Sequence, residues 1–281
     1  MRSIHLASRC SLAIFGIAAL FLSGCGGGGV SSQFKPTERV ARFGNERWAG
    51  VLSQVATPAG YVRWEAIQSN DNGVRDDLFR YVGLLGEVSP DNRPELFPSA
   101  DDKLTYWLNA YNALAMYAVV KRNYPGNTLA SIPPGAIYLI DSFPVGGKSM
   151  TLDSIEKSKV RSVGDPRVHF ALNCMSRSCP PLRREPYEAS KLNAQLSDQG
   201  MSYLSDPRAV TADARESVKL NDIFTSFYKG DFVDAYRKKT GNDKADLLES
   251  IRPFAAKDSP VQSATRYSGM GYDWSLNRPP E

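Results

Sequence analysis

The sequence predicts an α+β fold, mainly helical, with a small central antiparallel sheet. Three observations carry this expectation. Apolar residues recur at three- and four-residue steps near both ends of the chain. Short β-prone segments cluster between them, and one pair flanks Gly146-Gly147, a hairpin signature because those positions tolerate positive φ. Strands and helices do not alternate as a doubly wound sheet requires.

In chain order, Pro36 to Val55 reads as a helix, with Val40, Phe43, Trp48, Val51, Leu52 and Val55 on one apolar face, stopped by Thr57-Pro58-Ala59-Gly60. Tyr61–Ile67 carries no clear period. Val74–Val88 is a second amphipathic helix through Leu78, Tyr81, Val82 and Leu85. Ala100–Asn123 is the strongest helix. Ser99 suits its cap, Asp101 and Asp102 suit the positive end of its dipole, and Pro125-Gly126 ends it. Its centre is apolar or aromatic all round, which predicts burial on most sides. Asn109 and Asn112 share one face of it and need partners there.

Ala136–Asp141 reads as a strand, and Phe143–Val145 pairs with Lys148–Leu152 across the two glycines. A short helix starts at Leu152. Arg167–Cys174 is the most strand-like piece of the chain. Glu188–Leu204 is helical, Arg208–Thr211 and Ser217–Leu220 suit a second hairpin, and Asn221–Lys239 and Asp243–Ala256 are helices before a loop-rich tail from Ser259.

The chain of 281 residues has a net charge of +4, four cysteines and two histidines. Its first residues change the meaning of those totals. Arg2 and Arg9 precede an apolar run from Leu12 to Leu22, followed by small residues, the pattern of a signal peptide and too short to span a bilayer comfortably. The ending Leu22-Ser23-Gly24-Cys25 resembles a bacterial lipoprotein lipobox, which implies cleavage before Cys25 and its acylation. The expected organisation is a leader at 1–24, a lipid-anchored flexible linker at 25–36 and one α+β domain at 37–281. Gly26, with no aspartate after the lipid-bearing residue, points in a Gram-negative host to the outer membrane facing the periplasm.

Without the leader, charge is nearly balanced and His169 is the single histidine. No long basic block marks a nucleic-acid partner. No phosphate loop, dinucleotide fingerprint or nucleophile elbow is present, and no cofactor is expected. What remains of the reactive inventory, His169, Cys174 and Cys179, falls within eleven positions.

Three readings of that cluster compete. An even cysteine count in an oxidising compartment makes a Cys174–Cys179 disulfide the default. A thiol nucleophile would pair Cys174 with His169 as base and an orienting amide or carboxylate, for which Asn109, Asn112 and Asp165 are candidates. In a regular strand, however, His169 and Cys174 point to opposite faces, so that pair needs the strand to end or bulge near Asn173. A metal site is disfavoured because the spacing fits no usual ligand pattern, and none is expected. Trp107, Tyr111, Phe227, Tyr228, Tyr272 and Trp274 are candidates to wall a binding cleft; at helical spacing Trp107 and Tyr111 equally suit a core. Asp273 and Asn277 are candidates to pin the tail, and Asp273 also to orient the imidazole.

Four ordered motifs, Tyr106 to Leu114, His169 to Leu182, Phe227 to Phe232 and Tyr272 to Asn277, together resemble the domain of unknown function 547 family over roughly Tyr61 to Asn277. The resemblance implies marked positions at Asn109, Asn112, His169, Cys174, Cys179 and the Tyr272–Asn277 tail, and no activity. A remote papain-like similarity is weighed beside it, with one departure: the buried helix ahead of the His169 segment carries asparagines and no cysteine. The expected function is an envelope lipoprotein with a binding or scaffold role and a bridged Cys174–Cys179, contacting an envelope peptide or glycan. The alternative is a papain-like thiol hydrolase or acyl-transfer enzyme using Cys174 and His169, with Cys174 favoured because it lies nearer the strand end.

Overall fold

A computed structural model describes residues 42–122 and 136–280. The leader, Cys25, the linker at 25–36, the start of the first predicted helix and the Pro125-Gly126 stop lie outside the described residues. Among the described residues no helix is long and apolar enough to cross a membrane.

Helix α1 (Glu46–Val55) buries Trp48, Val51, Leu52 and Val55, the face its periodicity predicts. The segment without a clear period supplies α2 (Trp64–Ser69), where Trp64 and Ile67, three apart, turn one face inward. Helix α3 (Val74–Glu87) buries Leu78, Tyr81, Val82 and Leu85 as expected. Helix α4 (Ala100–Lys121) starts in a reciprocal cap: Ser99 Oγ accepts from the Asp102 amide and the Asp102 carboxylate accepts from the Ser99 amide, both at 3.0 Å. Every residue from Leu104 to Val120 is buried, so α4 is the axis of the molecule and has no solvent face over that length.

Ala136–Ile140 is not a strand but one wide helical turn, closed by a 2.9 Å bond from the Asp141 amide to the Ala136 carbonyl. Among the described residues no strand pairs with it, and Leu139 and Ile140 face outward at 58% and 69% exposure. The predicted hairpin follows as β1 (Ser142–Val145) and β2 (Lys148–Thr151). Gly146 and Gly147 both have positive φ, 56° and 77°, which makes the tight turn that matches strand twist. Their amides dock on the Leu85 and Gly86 carbonyls at the end of α3. Thr151 caps the short α5 (Leu152–Ile155).

The strand expected at Arg167–Cys174 is also corrected. Val168–Ala171 is a single helical turn, α6, and the chain extends only from Leu172. Among the described residues the extended exit pairs with no strand. Its backbone bonds go instead to the Asn112 amide on α4, which donates to the Ala171 carbonyl at 2.9 Å and accepts from the Asn173 amide at 2.8 Å.

Beyond lie α7 (Leu192–Tyr203) and the second predicted hairpin, β3 (Val210–Ala212) with β4 (Ser217–Leu220). Helices α8 (Lys229–Thr240) and α9 (Leu247–Ile251) follow. The loop-rich tail conceals one further strand, β5 (Arg266–Gly269), which pairs parallel to β4. The fold is thus mainly helical α+β as expected, but its strands form two separate small sheets and the centre is α4.

Apolar side chains form two clusters, one around α4 and one around Phe170, Tyr203, Phe224, Phe232 and Ile251. Helix α6 joins them: Val168 and Ala171 face the first, and Phe170 enters the second, 5.5 Å from the Phe232 ring. His169 and the two cysteines therefore lie along a seam between cores.

Candidate functional site

On the one-turn helix α6 the His169 side chain is almost completely buried, with 1% exposure. Its Nε2 lies 2.9 Å from Asp231 Oδ2 on α8. That carboxylate is also held by Arg161 through a two-point contact, Nε at 2.8 Å and Nη2 at 2.9 Å. The Arg161 guanidinium is the main reason the Asp231 carboxyl sits below its usual range. Facing an ionised carboxylate, Nε2 must carry the imidazole proton. Nδ1 is then a buried acceptor with no hydrogen-bond partner. The Tyr228 ring stacks on the imidazole at 3.8 Å and 15°.

Burial dominates the titration of His169 and pushes it down to about 4, against the opposing pull of Asp231. Because the folded value lies below the unfolded one, the unfolded chain takes up the proton first. The stability tied to neutral His169 is fully present above about pH 6.5 and is lost as pH falls toward about 4. The loss attributable to this group is about 2 kcal/mol at pH 5. Urea midpoints at pH 7 and pH 5 check it: the fall in the wild-type chain should exceed the fall in His169→Gln by that amount, and parallel falls would refute it.

Cys174 and Cys179 form a disulfide, as the default reading expects, with Cα atoms 6.2 Å apart. Cys179 is 2% exposed, whereas Cys174 is partly exposed. The tail runs antiparallel along the loop between them. Arg177 donates to the Ser275 carbonyl at 2.7 Å, Ser178 to the Asp273 carbonyl at 3.2 Å and Asn277 to the Met175 carbonyl at 2.9 Å. This places the Tyr272 hydroxyl 3.2 Å from each sulfur and 2.6 Å from Ser176 Oγ.

These parts enclose an open cleft of about 440 Å³. His169, Glu156, Arg161 and the two cysteines line its depth, and the rings of Tyr111, Tyr138, Phe227, Tyr228, Tyr272 and Trp274 wall it. Tyr272 and Trp274 lie 4.5 Å apart, and Phe227 lies 5.2 Å from Tyr272, with Phe227 and Trp274 exposed at the mouth. Burial raises the Glu156 carboxyl, against the pull of a hydrogen bond from Tyr228.

The residues expected from sequence separate into groups. Tyr111, Phe227, Tyr228, Tyr272 and Trp274 converge on the cleft with His169, Cys174 and Cys179. Asn109 and Asn112 do not orient the imidazole; Asn109 spans the Tyr187 backbone, donating to its carbonyl and accepting from its amide, each at 2.9 Å. Trp107 is core, 3% exposed, with the Lys159 ammonium 5.2 Å from its ring centre. Asp165 is taken by Arg167 and Asp273 by Ser275, so neither orients His169. Asp273 and Asn277 pin the tail; the Asn277 backbone carbonyl accepts from Trp64 Nε1 at 2.9 Å and its side-chain Nδ2 donates to the Gly60 carbonyl at 3.1 Å.

Residues 97–204 match the family model described as a protein of unknown function, DUF547. Over that stretch the chain is similar to the DUF547 family. No curated protein and no solved structure matches the chain. The DUF547 segment runs from the entry to α4 through α7, so it contains Asn109, Asn112, His169, Cys174 and Cys179. The imidazole's partner Asp231 and the cleft walls at Phe227, Tyr228, Tyr272 and Trp274 lie beyond it. Sequence reasoning missed the roles of Asp231, Arg161, Glu156, Tyr138 and Ser176. For Asp231 a signal existed in the run Tyr228-Lys229-Gly230-Asp231-Phe232, the only one of the four motifs with an acid beside two aromatics on a predicted helix.

Proposed function

We propose that this protein is an envelope lipoprotein, acylated at Cys25, with a Cys174–Cys179 bridge and an aromatic cleft that binds a short peptide or glycan of the envelope. The observation that carries this reading is the convergence of partly exposed rings, Phe227 and Trp274 with Tyr272 behind them, onto an open cleft that also offers Glu156 and Arg161. Exposed rings next to a few buried polar groups are the usual make-up of a small-ligand or peptide pocket.

The thiol-hydrolase alternative, and the papain-like likeness behind it, receive less support from the same residues. A bridged Cys174 cannot attack. An imidazole that titrates near 4 is also a poor base for a thiol of ordinary pKa, about 8.5, since a gap of about 4.5 units opposes the thiolate–imidazolium pair by roughly 6 kcal/mol.

Trp274 makes the binding reading testable. It is the most exposed of the four tryptophans; Trp48, Trp64 and Trp107 are buried. Titration of the full chain in detergent with an envelope stem peptide, and separately with an N-acetylglucosamine oligomer, should change tryptophan emission saturably for one probe. Trp274→Ala should weaken that affinity about tenfold or more. Intact mass of the same sample should show acyl groups on Cys25 and no alkylated Cys174 or Cys179 without reductant. Flat titrations with both probes would sink the binding reading, and an unmodified Cys25 would sink the anchor.

A further inference from the structure

We propose that the Cys174–Cys179 bridge is an exchange disulfide, which oxidises a dithiol peptide segment held in the aromatic cleft. The proposal rests on the cleft being a binding site and names the chemistry of its occupant.

The two sulfurs are unequal. Cys174 is partly exposed and Cys179 is buried behind it at 2% exposure, so an incoming thiolate in the cleft meets Cys174 first. The surroundings of the buried sulfur suit a leaving thiolate. The Cys174 amide donates to Cys179 Sγ at 2.9 Å. The Tyr272 hydroxyl is 3.2 Å from it and Ser176 Oγ is 3.3 Å from it. Those two hydroxyls hold two protons. One closes the 2.6 Å contact between the oxygens, and the other is left for sulfur. A disulfide sulfur is a weak acceptor and gains little from donors, whereas a thiolate gains much. Burial also holds the Tyr272 hydroxyl well above its usual titration range, so it remains a donor at neutral pH.

The loop does not depend on the bridge for its shape. Met175, between the cysteines, has φ +68°, a left-handed conformation that costs a non-glycine residue about 1 kcal/mol. It is held there by a 2.8 Å bond from its amide to Asn173 Oδ1 and by the Asn277 amide on its carbonyl. The Cys179 amide bonds the Ser176 carbonyl at 3.1 Å. Opened thiols would therefore stay adjacent, ready to close again. Strain of this kind, over-determined by its surroundings, is typical of working loops.

The chemistry balances without a further reagent. A client thiolate attacks Cys174 Sγ; the Cys174–Cys179 bond breaks and Cys179 leaves as a thiolate with the bonding pair, held by the Cys174 amide and a hydroxyl. The client's second thiolate attacks the client sulfur of the mixed disulfide and releases Cys174 as a thiolate. The client dithiol has lost two electrons and two protons to become a disulfide, and the two cysteines, once protonated from solvent, have gained them.

A single-turnover measurement on the oxidised full chain in detergent tests this. The probe is a short synthetic peptide with two reduced cysteines and one tyrosine, alongside a copy with serines in place of the cysteines. The peptide should become oxidised as two alkylatable thiols appear at Cys174 and Cys179. Tyr272→Phe and Ser176→Ala should each slow the exchange about tenfold, as loss of a hydrogen bond to a charged group predicts. Absorbance titration of the reduced chain near 240 nm should place its first thiol below about 8.5 and move it upward in Tyr272→Phe. Binding of the serine copy without exchange of the cysteine peptide would overturn the proposal and leave the cleft reading standing. No binding of the serine copy would overturn the proposal, and the cleft reading falls with it only if the stem peptide and the N-acetylglucosamine oligomer also fail to bind. Equal exchange rates in the wild type and both variants would overturn the proposal, because the hydroxyls then stabilise nothing.

Discussion

Asn112→Leu is expected to cost about 4 kcal/mol of folding stability, far more than its matched branching suggests. The Asn112 amide makes two bonds, to the Ala171 carbonyl and from the Asn173 amide, and both backbone groups belong to buried residues. Leucine leaves each without a partner, at about 1–3 kcal/mol apiece. Urea unfolding with an unchanged slope checks the figure. Asn109→Leu should show a loss of the same kind, because Asn109 spans the Tyr187 backbone in the same way one turn earlier on α4. A loss below about 1 kcal/mol in both variants would mean that other groups reach those backbone atoms.

Gly60→Ala should be comparably damaging, at about 3 kcal/mol or more, for two reasons that a second substitution separates. Gly60 has φ +74°, a region that costs alanine about 1–2 kcal/mol. An added Cβ would also sit 2.3 Å from Pro181 Cβ and 2.4 Å from Pro181 Cα, so backbone must move to admit it. Asparagine tolerates left-handed backbone but carries the same Cβ. If the collision dominates, Gly60→Asn will lower the melting temperature as far as Gly60→Ala; if the dihedral dominates, asparagine will recover much of the loss. Gly50→Ala is the control: nothing lies within 4 Å of its added Cβ, and inside a helix alanine should be neutral or better. Damage at Gly60 no greater than at Gly50 would refute both reasons.

The helices that bury one face were legible, because burial imposes a period on their own residues. The apolar face of α1, the stripe of α3 and the all-round apolar centre of α4 are visible without any partner. Hairpins that depend on a local turn were legible for the same reason, as Gly146-Gly147 shows. The failures were segments whose state is decided elsewhere. Arg167–Cys174 has β-prone residues, yet the amide that takes its backbone bonds is on α4, some sixty residues earlier. Strand β5 pairs with β4 across nearly fifty residues and has no alternation of its own.

At the site, His169, Cys174 and Cys179, clustered in sequence, line one cleft. The partner of His169 could not be found that way. Asn109, Asn112, Asp165 and Asp273 had the right chemistry, but Asp231 has the right position, on a helix that only the second core brings alongside α6. Short-range pattern identifies which residues can react; it does not reveal which long-range packing will meet them.

The tail that runs along the cysteine loop also sets an order of assembly. Tyr272 and Trp274 form one wall of the cleft, and Asn277 bonds to Trp64 and Gly60 across 213 and 217 residues of chain. Contacts of such long separation pay their loop-closure entropy late. On a ribosome, the core around α4 has all its residues except Leu276 well before position 272 is made. The cleft is therefore a feature of the finished polypeptide, and the tail registers on the loop as a late inspection step: only a chain synthesised through Asn277 can close the wall against which any ligand would rest.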